Sequence, residues 1–267
     1  MKISFSTIGC PDWMLNEVLA AANDFGFDGV EIRGLGEDIY LPKAPCFGQK
    51  RLQTSLREIA ESGIEISCIS ADASCLLSSP SLDVVSSIRE YCDLTSMIGA
   101  QNIRILADEW GVANPKIDRE LVYENLAAAA PYAEKKGVTL LIETCGVYAD
   151  TAVLRELIER VNSPAVAVLW DVHHPYRYMR ETAAESAANI GKWVRHVHIK
   201  DSVMTAGKLE YRMLGHGDIP IHDMLDELKK LDFDGYLSLE WMKRWNEELE
   251  APGIVFSHYA RKMKKYM

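Results

Sequence analysis

Eight short β-branched runs, each followed by a stretch of helical period, constrain this chain more than any other feature. They are "ISFST" (3–7), "GVEIR" (29–33), "EISCIS" (65–70), "NIRIL" (102–106), "TLLIE" (139–143), "VAVLWD" (166–171), "RHVHIK" (195–200) and "YLSLEW" (236–241). Runs so short and apolar are expected of parallel strands covered on both faces. The stretches between them are amphipathic. In "DWMLNEVLAAANDFG", Asp12 stands where an N-cap is expected and Gly26 where the helix should stop. Gly26, Gly63, Gly99 and Gly137 each fall just past a helical stretch, shortly before the next run. Phe27-Asp28-Gly29 returns as Phe233-Asp234-Gly235, a weak repeat of one strand–helix unit and too degenerate for a solenoid.

Eight strand–helix rounds in 267 residues predict an α/β fold, a single-domain (β/α)8 TIM barrel spanning residues 1–267. A doubly wound open sheet competes, but "STIGCPDW" after the first run carries one glycine instead of G-x-G-x-x-G. Link lengths favour the barrel. Helix-to-strand links are short, whereas the strand-to-helix links 34–47, 72–79, 107–117 and 201–220 are long and irregular. They would gather at the C-terminal face, where barrels place their chemistry.

Composition removes several functions. A formal net charge of −10 disfavours nucleic acid, which selects a basic footprint. No apolar stretch has the length of a membrane span, and "MKISFSTIGC" lacks the apolar centre of a signal peptide. Cys10, Cys46, Cys68, Cys75, Cys92 and Cys145 form no C-x-x-C pair, which argues against a disulfide framework or thiolate zinc site and for the cytoplasm.

Ionisable residues near the ends of the predicted strands are the candidates for chemistry. The fifth run ends at Glu143, the sixth at Asp171, the seventh contains His198 and the eighth contains Glu240. One or more βα units separate each from the next, so four consecutive strands aim Glu, Asp, His and Glu at one point. Three carboxylates and an imidazole suit one divalent ion, Mn²⁺, Mg²⁺ or Co²⁺, with Zn²⁺ also compatible. The ion would offset charge that cannot stay buried and unpaired.

With these residues in view, the sequence resembles the xylose-isomerase-like barrels, the sugar phosphate isomerases and epimerases. "FSTIGCPDW", "GFDGVEIR", "LLIET", "WDVHH", "HVHIKD", "LGHGDIP" and "LSLEW" carry the resemblance across nearly the whole chain. It implies that Glu143, Asp171, His198 and Glu240 are metal ligands, that His174 contacts substrate, and that Lys200 faces the site. Epimerases of ketoses in this family use an Arg six residues past the ligand His; this chain departs from that pattern with Met204, which lacks the guanidinium.

Other polar residues have two readings each. His196 shares an inward face with His198 and Lys200, either as a hydrogen-bond partner for a ligand carboxylate or as a barrel histidine satisfied elsewhere. His173 reads as a turn or rim residue, and Glu31 with Arg33 as a plain ion pair. Trp13, Trp110 and Trp241 could wall a sugar site or simply pack, and Trp241 is favoured because it follows Glu240. "GHGDIP" (215–220) is a nest for an anion or a turn. Lys243 and Arg244 read a substrate phosphate or lie on a solvated rim, and Cys145 packs.

The expected reaction is proton transfer beside a carbonyl on a sugar or keto-polyol, through a metal-stabilised enediolate. Glu143 and Glu240 act as base and acid, and His174, Lys200 and Trp241 hold substrate. A dehydratase of a keto-polyol, like inosose dehydratase, is the nearest alternative. A non-catalytic barrel and an AP-endonuclease-like nuclease are remote, the latter because no histidine precedes His173. The partner is thus a small molecule, neither nucleic acid nor membrane, and a homo-oligomer remains open.

Overall fold

The eight runs pair edge to edge and close a parallel barrel. The structure is a computed structural model that describes residues 1–81, 83–109 and 113–267. In chain order its elements are β1 (Lys2–Ser6), α1 (Leu15–Phe25), β2 (Gly29–Ile32), α2 (Leu52–Ser62), β3 (Glu65–Ser70), α3 (Val84–Met97), β4 (Asn102–Ile105) and α4 (Arg119–Lys136). Then follow β5 (Thr139–Glu143), α5 (Thr151–Val161), β6 (Val166–Asp171), α6 (Ala183–Ile190) and β7 (Val194–Ile199). The chain ends with β8 (Asp201–Thr205), β9 (Lys208–Arg212), α7 (Ile221–Lys230), β10 (Tyr236–Leu239) and α8 (Pro252–Tyr266). Around the barrel the order is β1-β10-β7-β6-β5-β4-β3-β2, and β8 with β9 forms a separate antiparallel hairpin.

Each barrel strand lies within two residues of its predicted run. The link 201–220, expected to be irregular, instead folds its first half into the β8–β9 hairpin. A second difference is the start of α1. Its N-cap is Met14, not Asp12, and Glu17 Oε2 accepts the Met14 N–H at 2.8 Å. A first-turn carboxylate satisfies that donor and suits the helix dipole. Gly26, Gly63, Gly99 and Gly137 all sit just past helices with positive φ, as read.

The Phe-Asp-Gly repeat marks two tight strand entries. A Cβ on Gly29 would lie 2.9 Å from Glu65 O, and one on Gly235 would lie 2.7 Å from Arg195 O. Neighbouring strands approach too closely there for any side chain.

Alternation along the strands makes both core and site. Cys68, Leu141, Ala167 and Leu169 form a small apolar cluster apart from the main core. Two residues further along the same strands stand Ser70, Glu143 and Asp171, all buried. The intervening Ile69, Ile142 and Trp170 belong to the main core between barrel and helices. A packed lumen therefore carries polar groups at its C-terminal end. Among the described residues no helix is long and apolar enough to cross a membrane.

Candidate active site

Asp171 ends β6 and folds the turn that follows it. Its Oδ1 accepts the backbone N–H groups of His173 at 2.8 Å and His174 at 3.3 Å. That leaves Oδ2 to face Lys200 Nζ at 2.6 Å and His198 Nδ1 at 3.9 Å. The same turn parts the two histidines. His174 Nδ1 donates to Thr144 O at 2.8 Å, so Nε2 is the acceptor, 3.3 Å from Lys200 Nζ. His173 Nε2 meets Ser202 Oγ at 2.9 Å, at the root of the hairpin. Burial pushes the pKa of both imidazoles down.

Period two along β7 turns His196, His198 and Lys200 inward together. His198 Nε2 lies 3.1 and 3.0 Å from the two oxygens of Glu31, whose Oε2 is also 3.0 Å from His196 Nε2. Ser70 Oγ donates to Glu31 Oε1 at 2.5 Å. Burial opposes ionisation of Glu31, but His198 and His196 outweigh it and hold the carboxyl well below its usual range. Glu31 therefore serves the barrel histidines instead of pairing with Arg33. His196 reaches this carboxylate and not one of the four predicted ligands.

The opposite ring nitrogen of His198 faces carboxylates. Nδ1 is 3.2 Å from Glu143 Oε1 and 3.5 Å from Glu240 Oε1. Arg104 Nε donates to Glu143 Oε2 at 2.6 Å, and Lys200 donates to Glu240 Oε2. Burial disfavours charge on Glu143, yet the Arg104 guanidinium prevails and keeps the carboxyl well below its usual range. Burial likewise opposes ionisation of Glu240, and Lys200 with His198 lowers it. For Asp171 burial wins and the pKa rises.

The structure thus brings together Glu143, Asp171, His198 and Glu240, whose ligand atoms all lie within 4.8 Å of one another. These residues fit a divalent cation. Ionised carboxylates only accept hydrogen bonds, so both nitrogens of His198 need a proton or a cation between themselves and the acids they face. Glu31 supplies a reason for the proton on Nε2, which leaves Nδ1 to bind a metal, the carboxylate–histidine arrangement that fixes a metal ligand's tautomer. Four buried carboxylates, Glu31 included, meet two fixed cations, Arg104 and Lys200, and a divalent ion would balance the remainder.

A cavity of about 390 Å³ opens on this cluster. Arg33, Arg104 and Glu240 line it together with Trp245, and Ile8, Leu106 and Met242 give it apolar walls. Trp241 does not line it; the ring is buried and its Nε1 donates to Glu250 O at 3.1 Å. Trp13 packs edge-on against Phe256, 5.9 Å between ring centroids, and Trp110 lies outside the described residues. Lys243 donates to Glu247 O and Leu249 O at 2.5 Å, and Arg244 to Pro11 O at 3.0 Å and Gly36 O at 2.8 Å. Both tie loops together and neither lines the cavity. Cys145 is buried, its Sγ 3.7 Å from Glu109 O.

"GHGDIP" is a nest for an anion, and the anion is the chain's own Asp201. Its Oδ2 accepts from Gly215 N at 2.8 Å and Gly217 N at 2.9 Å, and its Oδ1 from Ser202 N at 2.9 Å and Ile219 N at 3.3 Å. Met204, where ketose epimerases carry an Arg, is 48% exposed on the hairpin. Sequence reasoning missed Arg104 and misassigned Glu31. For Arg104 the signal was there, a lone charge in "NIRIL".

Comparison with known proteins agrees with this fold. A family model described as xylose isomerase-like TIM barrel matches residues 19–255. Fructoselysine 3-epimerase of Escherichia coli O157:H7 is 23% identical over 263 residues, covering 93% of each chain. The probable 3-DHS dehydratase from Bacillus anthracis superposes with a TM-score of 0.78 at 18% identity, over 99% of both chains. A xylose isomerase-like TIM barrel protein from Mycobacterium smegmatis, solved in complex with magnesium, gives 0.76 at 15% identity over 99% of this chain and 96% of that one. The chain belongs to the xylose isomerase-like TIM barrel family.

Proposed function

We propose that the protein is a divalent-metal-dependent epimerase or isomerase of a ketose or keto-polyol. The observation that carries this reading is the convergence of Glu143, Asp171, His198 and Glu240 within 4.8 Å beside a cavity that Glu240 lines. These four would hold the ion. When bound, it supplies electrophilic stabilisation of the negative charge that develops on adjacent substrate oxygens as a C–H bond breaks.

The chain's own residues do the rest. β5 and β10 flank β6 and β7 in the barrel, so Glu143 and Glu240 approach the reacting carbon from two sides. One takes the proton and the other returns it, on the opposite face for epimerisation or at the neighbouring atom for isomerisation. Both stay ionised at neutral pH, Glu143 against Arg104 and Glu240 against Lys200. Lys200 and the neutral His174 point polar atoms at the same place and hold substrate oxygens. Trp245, not Trp241, closes the cavity wall. Likeness to fructoselysine 3-epimerase over 93% of the chain supports proton transfer beside a carbonyl.

A second reading, a dehydratase that begins with the same proton abstraction, is favoured by the likeness to the 3-DHS dehydratase. The two part at the next step, because a dehydratase must protonate a leaving hydroxyl. Incubating the protein and Mn²⁺ with a panel of ketoses and keto-inositols separates them. Reversible conversion between isomers is expected; irreversible loss of water with growing absorbance of an unsaturated ketone would overturn the epimerase in favour of the dehydratase.

A further inference from the structure

Arg33 stands just past β2 with its backbone fixed and one guanidinium nitrogen without a partner among the described residues. Its N–H donates to Thr7 Oγ1 at 2.9 Å, which pins the residue at the barrel mouth. The guanidinium lines the same cavity as Arg104 and Glu240, and its Nη1 is buried with no hydrogen-bond partner among the described residues. Tyr91, Asp72 and Glu240 lie near enough to influence it, and both carboxylates are engaged elsewhere. Asp72 Oδ1 accepts from Ser74 Oγ at 2.6 Å and from Ser74 N and Tyr91 OH at 3.3 Å. Glu240 takes the Lys200 ammonium.

A buried guanidinium nitrogen without a partner is costly, and a second guanidinium close by makes it costlier. The charge balance sharpens the point. With a divalent ion present, the four buried carboxylates are matched by that ion, Arg104 and Lys200, and Arg33 is left over. A planar guanidinium is also the side chain best shaped to hold a carboxylate or phosphate through two N–H groups.

We propose that Arg33 binds an oxyanion group of the substrate, a carboxylate or a phosphate, so that the protein acts on an acidic sugar in preference to a neutral one. This rests on the epimerase reading for the word substrate, whereas the binding preference can be measured without it. Arg104 adds positive charge beside the group but stays committed to Glu143. Arg33 thereby offers a foothold where Met204, exposed on the hairpin, offers none.

Three ketoses that differ at one carbon test this: D-fructose, D-fructuronate and D-fructose 6-phosphate. Their dissociation constants are measured by calorimetry with the intact protein and Mg²⁺. At least one charged sugar should bind roughly tenfold or more tightly than fructose, the factor one charge-assisted hydrogen bond supplies. Preference for fructuronate makes the group a carboxylate, and preference for the phosphate makes it a phosphate. In Arg33→Gln the advantage should collapse to within about twofold. Should that variant fail to fold, Arg33→Lys, which keeps the charge but loses the planar fork, should still lower the charged-to-neutral ratio several-fold. Equal binding of all three sugars by the wild type, or an undiminished ratio in a folded variant, would overturn the proposal. Failure of the epimerase reading looks different: no sugar is converted, whatever binds.

Discussion

Glu31 and Arg104 do at residue scale what the predicted ligands cannot do alone: one fixes the His198 ring, the other keeps Glu143 ionised. Replacing Glu31 by Gln removes a carboxylate from two imidazoles at once. Its expected effect is a drop in Mn²⁺ affinity of roughly 10- to 100-fold, as for other partners that orient a metal ligand. Competition with a chelating dye would read it, and wild-type affinity would contradict the role. The two adjacent histidines give a second expectation. His174→Asn should lower turnover about 10²-fold, because Nε2 lies among the reacting groups. His173→Asn should leave turnover near normal and cost about 1–3 kcal/mol of stability through the lost contact to Ser202. Paired kinetics and urea unfolding check both; equal loss of turnover would mean both rings serve the reaction. The convergence of Glu143, Asp171, His198 and Glu240 was legible because unit spacing puts each at a strand end. Glu31 was not, because a carboxylate beside an arginine suggests an ion pair, and only the barrel's closure brings β2 across from β7.

At the scale of elements, the barrel strands were legible from apolar runs and the hairpin was not. Its turn is Ala206-Gly207, both at positive φ, 50° and 80°. Asn-Gly or Asp-Gly is the usual signature of such a turn, and Ala in that conformation leaves no mark in a sequence. Behind the hairpin, the "GHGDIP" turn is locked to Asp201 through three backbone donors. A Cβ on Gly217 would lie 2.0 Å from Asp201 Oδ1. Gly217→Ala should therefore pry the nest open and destabilise the protein by about 1–3 kcal/mol. Denaturant melts would show an earlier midpoint with unchanged slope; an unmoved midpoint would mean the nest contributes nothing. The start of α1 was misread for a related reason. Asp12 is a good cap by type, but Glu17 reaches back to Met14 and sets the first turn.

For the whole molecule, the barrel gathers four buried carboxylates at one end of a chain whose net charge is already −10. Like charges held together disfavour the folded state unless a cation joins them. Removing divalent ions with EDTA should lower the melting temperature, and saturating Mn²⁺ should restore roughly 5–10 °C, given about 2.7 kcal/mol at a hundredfold excess over the dissociation constant. Glu143→Gln and His198→Ala should lose most of that rise, and an equal rise in both would place the ion elsewhere. The fold as a whole was readable because eight rounds of one unit admit few closures. The cavity was not, since its walls come from residues far apart in the chain, Ile8, Arg33, Arg104 and Trp245 among them. One measurement bears on the central claim most directly: mass and NMR analysis of ketoses incubated with the Mn²⁺-loaded protein in D₂O. Solvent deuterium should enter one C–H bond beside the carbonyl of the sugar it accepts, and Glu143→Gln and Glu240→Gln should each suppress it by at least about 10²-fold. Conversion of a ketose to its epimer with no deuterium uptake, or uptake undiminished in both variants, would contradict proton transfer by these two carboxylates.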